Sequence, residues 1–142
     1  EQTCGYHTHK HKVAGRVAYA SRRYIQNRTT MSASASSAKI AVYVTVPSKE
    51  LGVKIANSLL TDKLAACVNI IPGIESYYWW ENKIESDSEL LLMIKSRSEL
   101  LEAITARVVE VHEYDVPEVI SVPILGGNEK YLKWIQDNTK SF

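Results

Sequence analysis

From Lys39 onward the chain switches repeatedly between two hydrophobic periods. Ile40–Val46 is short and rich in β-branched residues, which predicts a strand. Pro47-Ser48 ends it, and Ser48 is placed to cap a helix. Leu51, Ile55 and Leu59, with Ala56 and Leu60, then recur at helical spacing. Leu64–Ile71 predicts a second strand. Pro72-Gly73 interrupts it as a bulge or bend, and extended character resumes through Tyr77, Tyr78, Trp79 and Trp80. Glu81-Asn82-Lys83 predicts a tight turn, with Asn82 able to take a left-handed conformation. Ile84–Lys95 returns as a long third strand opposite the second. Ser96 and Glu99 fit a capping box ahead of the helical stripe Leu101, Ile104, Val108 and Val111. Val119–Ile124 predicts a fourth strand. Gly126-Gly127-Asn128 follows, with Asn128 capping a short helix that holds Tyr131, Leu132, Trp134 and Ile135.

The order β-α-β-β-α-β plus a terminal helix predicts an α+β, ferredoxin-like split βαβ domain. Right-handed crossovers put both main helices on one sheet face. The other face should then be polar in a monomer, yet Leu91 and Met93 lie on one side of the third strand and Leu90, Leu92 and Ile94 on the other. Two helices do not cover both faces, so the expected cover is another copy of the same chain. The alternative is that the last helix and the long hairpin fold back over the open face.

Charge divides the chain in two. Residues 1–38 carry six basic residues against Glu1, a net +5, while residues 39–142 carry 11 basic and 15 acidic residues, a net −4. An acidic body lacks the clustered Lys and Arg that phosphate neutralisation requires, which argues against nucleic-acid binding. The head lacks a sustained hydrophobic period and is rich in Arg, Ser and Ala, as an organelle transit segment is. It has no long apolar stretch of the secretory kind; a plain disordered basic tail is the alternative reading. The longest aliphatic runs are about five residues against the roughly 20 that span a membrane, so no membrane span is expected. Cys4 and Cys67 are too few for a disulfide framework.

The body also resembles a known family. Val44-Thr45-Val46-Pro47, the run from Lys63 to Asn69, Ile71-Pro72-Gly73, the run from Ser76 to Glu81, the run from Glu89 to Lys95, His112-Glu113-Tyr114, Pro117-Glu118 and the run from Tyr131 to Trp134 occur in order. Together they make residues 39–142 similar to the CutA divalent-cation tolerance family. The resemblance implies a ferredoxin-like homotrimer without an established enzymatic activity. For a plant-type member it implies a chloroplast address carried by the head. It links bacterial members to copper tolerance and copper binding, and animal members to acetylcholinesterase maturation.

The resemblance also implies a copper ligand set: a first-strand cysteine and a His-His pair after the second helix. Here those positions are Val44, Val111 and His112, so only His112 matches. One imidazole does not make a strong transition-metal site alone. The candidate metal residues are therefore His112, Glu113 and Cys67, with a neighbouring chain as a further source of donors. Two of them have a plainer reading: His112 as a helix C-terminal residue, Cys67 as a small apolar residue among Ala65, Ala66 and Val68. His7, His9 and His11 form a short His-rich tract able to bind metal ions in vitro. The aromatic group Tyr77–Trp80 with Trp134 suits packing or an interface; the alternative is a ligand-lined cleft between subunits that includes Lys95 and His112. Glu85, Asp87 and Glu89 look like a solvated stripe on one strand face.

No G-x-S-x-G, H-E-x-x-H, C-x-x-C or phosphate loop is present, so no enzymatic role is expected. The leading expectation is a trimeric protein that binds copper or another divalent metal ion in metal tolerance or homeostasis. The rival is a small-molecule sensor or scaffold, similar in fold to the trimeric nitrogen-regulatory signal proteins. Those carry a long mobile loop between the second and third strands; here the connection is about Glu81–Lys83.

Overall fold

The computed structural model describes residues 38–141. The expectations for the head, including His7, His9, His11, Cys4 and the transit segment, lie outside the described residues. Strand β1 (Lys39–Val46) leads into helix α1 (Lys49–Thr61), then strands β2 (Cys67–Trp80) and β3 (Lys83–Arg97). A single 3-10 turn (Ser98–Leu100) runs into helix α2 (Leu101–Val111), followed by strand β4 (Ile120–Pro123) and helix α3 (Glu129–Asp137). The sheet order β2-β3-β1-β4, with every neighbouring pair antiparallel, is the ferredoxin-like arrangement that the element order predicts.

The core lies between one sheet face and the two longer helices. Val42, Val44 and Val46 pair across β1 and β3 with Ile94, Leu92 and Leu90. The three valines, Leu92 and Ile94 pack with Ile55 and Leu59 of α1 and Ile104 and Val108 of α2 in one cluster. Burial of each such aliphatic side chain contributes about 1.5–3 kcal/mol, which pays for ordering the helices onto the sheet. Gly52 lets α1 approach closely, since a Cβ there would stand 3.2 Å from Leu92 Cδ2 and 3.4 Å from Val46 Cγ2.

Local signals in the sequence set the joints. The Ser48 hydroxyl accepts from Leu51 N–H at 3.2 Å and starts α1, and the Asn128 side chain accepts from Lys130 and Tyr131 N–H to start α3. The register slips between Ile71 and Ile74, where Gly73 takes φ 82°, so Pro72-Gly73 is a bulge within one strand. Glu81 and Asn82 both have positive φ, 47° and 62°, as the centre of a two-residue hairpin turn requires.

Two expectations are corrected. Ser96 does not cap a helix: it is a fully buried residue of β3 whose hydroxyl donates to the Leu64 carbonyl at 2.6 Å. Glu99, its presumed capping partner, pairs instead with Arg97. A buried hydroxyl needs a partner more than the exposed helix start needs a cap. The second strand also begins later than expected, at Cys67, because Leu64 and Ala65 donate their N–H groups to the Leu59 carbonyl and close the end of α1.

β2 and β3 are far longer than their neighbours. β1 pairs with β3 only as far as Val46↔Leu90, yet the hairpin continues from Ile74↔Glu89 to Trp80↔Lys83. Beyond Leu90 it therefore runs as a two-stranded arm. Tyr77, Trp79 and Ile84 stand exposed there at 71%, 73% and 65%.

Candidate functional site

The sheet face away from α1 and α2 carries the residues of chemical interest. Its rows follow from the register: Cys67, Lys95, Ala41 and Val122 side by side, then Asn69, Met93, Tyr43 and Ile120, then Ile71, Leu91 and Thr45. Helix α3 lies over the Lys39 end of this face. Its Gln136 accepts from Lys39 Nζ at 2.6 Å, and Thr139 just beyond it accepts from Arg97 Nε at 2.8 Å. Arg97 also donates to the Lys140 carbonyl, and Ile135 is fully buried. The last helix thus covers part of the open face, as the alternative reading expected. Ile120 and Val122 of the edge strand β4 remain 52% and 39% exposed.

At the opposite end of the face the segment after α2 is strapped down. His112 follows the last turn of α2 and its N–H donates to the Val108 carbonyl at 2.8 Å, closing the helix. Its ring is 8% exposed. Nδ1 accepts from Tyr114 N–H at 3.0 Å, so the proton resides on Nε2, which donates to the Thr45 carbonyl at 2.9 Å. The rings of His112 and Tyr114 lie 4.7 Å apart. The Tyr114 hydroxyl donates to Glu89 Oε1 at 3.2 Å, and Thr45 Oγ1 donates to Glu118 Oε2 at 3.4 Å. On the arm, the Tyr78 hydroxyl donates to Asp87.

This corrects the reading of the acidic stripe. Glu89 is 7% exposed and hydrogen-bonded, not solvated, because the strap brings Tyr114 over it. The phenols respond accordingly. Tyr78 is pushed up to about 12 by its hydrogen bond to Asp87, with burial and the neighbouring carboxylates adding to it. Burial first, then Glu89, raises Tyr114 well above the ordinary phenol value.

The structure does not bring the three candidate metal residues together within one chain. Cys67 sits at the Lys95 rung and His112 at the Thr45–Leu91 rung, four residues away along β3, or about 13 Å. Glu113 is exposed. Both His112 nitrogens are already bonded within the chain, so a metal ion must displace one of these bonds. Among the described residues no group of three or more His, Cys, Asp or Glu is placed to hold a metal ion. Likewise no described helix is long and apolar enough to cross a membrane.

Sequence reasoning missed the partners that define this face. Thr45 carries no pattern that announces a carbonyl acceptor for an imidazole 67 residues away. Lys95 is 8% exposed and donates to Asn69 Oδ1 and, at 3.2 Å, to the Met93 carbonyl, partners that no local pattern announces. Burial first, and Cys67 nearby second, raise the Tyr131 phenol above its ordinary value.

The fold is shared with known proteins. Residues 40–138 match the family model of the CutA1 divalent ion tolerance protein. Over 101 residues the chain is 60% identical to a rice protein named Protein CutA 1, chloroplastic, covering 71% of this chain and 57% of that one. It is 61% identical over 102 residues to the chloroplastic CutA of Arabidopsis thaliana, covering 72% and 56%. The chain thus spans little more than half the length of these plant relatives. It is 44% identical to the divalent-cation tolerance protein CutA of Thermus thermophilus, covering 69% of this chain and 95% of the relative. The crystal structure of CutA1 from Oryza sativa superposes with a TM-score of 0.73 at 57% identity, over 75% of this chain and 97% of that one. The Thermus thermophilus protein superposes at 0.70 and 42% identity, over 72% and 99%. The chain belongs to the CutA1 divalent ion tolerance protein family and has the α+β fold of its solved members.

Proposed function

We propose that this chain serves divalent-cation tolerance as one subunit of a homotrimer, by binding rather than by catalysis. The observation that carries the assembly is the arm beyond Leu90. A two-stranded ribbon is marginal in water, and this one exposes Tyr77, Trp79 and Ile84. A second copy laid against it removes that apolar surface from solvent, and the exposed Ile120 and Val122 give the opposite edge of the sheet the same need. The role in cation tolerance rests on family membership and on the names of the relatives. A plastid address rests on the names of the plant relatives and on the basic, Ser-rich head.

Copper is the finer part of the proposal. One chain does not supply a ready ligand set, so the account predicts weak, assembly-dependent copper association through His112, Glu113 and Cys67 with donors from a second copy. Calorimetric copper titration tests it on the full chain carrying His7→Ala, His9→Ala and His11→Ala, which removes the head tract. Weak binding that His112→Ala abolishes supports the ligand reading. Binding unchanged by His112→Ala puts the site elsewhere, and absence of binding in both proteins removes copper from the account. A reporter fused to the head should enter plastids; a cytosolic reporter contradicts the plastid address.

A further inference from the structure

The segment between α2 and β4 is fastened by side chains rather than by a ladder. Residues 112–119 form neither helix nor strand, and Glu113, Asp115, Val116 and Glu118 are exposed. His112 Nε2 bonds the Thr45 carbonyl, the Tyr114 hydroxyl bonds Glu89, and Thr45 Oγ1 bonds Glu118. The His112 ring also receives the Tyr114 N–H on Nδ1, so one imidazole sets the turn that aims Tyr114 at Glu89. These bonds join residues of a single chain and are made whatever the assembly. An exposed segment without ladder bonds belongs to the parts of a fold that open locally at little cost.

An imidazole that binds a cation gives its in-plane lone pair from one nitrogen and keeps its proton on the other. A cation that takes Nδ1 displaces the Tyr114 N–H directly. A cation that takes Nε2 displaces the Thr45 carbonyl and leaves the proton on Nδ1, where it meets the Tyr114 N–H as donor against donor. Both routes therefore break the bond between the ring and Tyr114. The ring is 8% exposed, so it must also come out from under the segment to meet a cation. Ligation at His112 and the closed segment exclude each other. By linkage, whatever loosens the segment tightens the cation by the same factor.

We propose that residues 112–118 are a cation-responsive strap: a divalent transition-metal ion bound at His112 releases Tyr114 from the ring and from Glu89, so that occupancy is felt at the base of the arm. This rests on the cation reading above and adds its structural consequence.

Hydrogen–deuterium exchange with and without saturating copper(II), on the full chain carrying His7→Ala, His9→Ala and His11→Ala, tests it together with copper calorimetry on the same chain with and without Tyr114→Phe. Exchange of residues 112–118 should rise with copper while that of α1 stays as it is. Tyr114→Phe keeps the aromatic ring and the backbone N–H but loses the hydroxyl bond to Glu89, so copper should bind it about three- to tenfold more tightly. Copper that binds while strap exchange is unchanged or slowed overturns the proposal and leaves the copper reading standing. Equal or weaker binding by Tyr114→Phe does the same. Absence of binding in both proteins overturns the two together. Should Tyr114→Phe not fold, the exchange comparison on its parent decides.

Discussion

His112 and Thr45, 67 residues apart in sequence, are joined by a 2.9 Å hydrogen bond from the imidazole Nε2–H to the backbone carbonyl. The other ring nitrogen accepts from Tyr114 N–H, so one buried ring ties the end of α2 to β1 and orders the turn that follows. That turn in turn delivers Tyr114 to Glu89, at the base of the arm.

Replacing the ring should therefore cost stability whether or not metal is present. His112→Ala leaves a backbone N–H and a carbonyl without their partner. The expected loss is about 1–3 kcal/mol, read as a lower urea midpoint in metal-free buffer. An unchanged midpoint means the strap contributes nothing to the fold.

The contact at Gly52 sets a second expectation. Ala there regains helix propensity of about 1 kcal/mol but crowds Leu92, so the two effects should nearly cancel. Gly52→Val adds branched bulk against Leu92 and Val46 and should cost about 1–3 kcal/mol in denaturant melts. A Val variant as stable as the parent contradicts the close approach of α1.

Tyr78 provides a pH test. Its folded pKa of about 12 exceeds the usual phenol value of 10.0, so the folded state favours the protonated form. The stability this contributes is complete below about pH 10 and is lost as pH rises through about 12. The phenolate absorbance difference between parent and Tyr78→Phe should accordingly develop near pH 12 in the folded protein. Development near pH 10 contradicts the Tyr78–Asp87 bond.

Much of the fold was legible because it depends on neighbours in sequence. The Ser48 and Asn128 caps, the Pro72-Gly73 bulge and the turn at Asn82 are local chemistry, and each stands where the pattern placed it. Ser96 with Glu99 matched a capping box equally well, but tertiary burial decided otherwise: Leu64 claims the hydroxyl and Arg97 the carboxylate. The site was less legible for the same reason. His112 stood out by type, yet its task depends on Thr45 and Tyr114. The burial of Glu89 and Lys95 depends on segments that alternation along β3 does not register.

The central claim is that the arm and the open face make this chain assemble, and light scattering on the full chain at micromolar concentration tests it most directly. The account predicts three times the chain mass of 16.0 kDa, and a lower mass when Trp79→Glu and Ile84→Glu place charge on the arm's exposed apolar side. A parent protein that scatters as a monomer, or a charged arm that leaves a trimer intact, contradicts it.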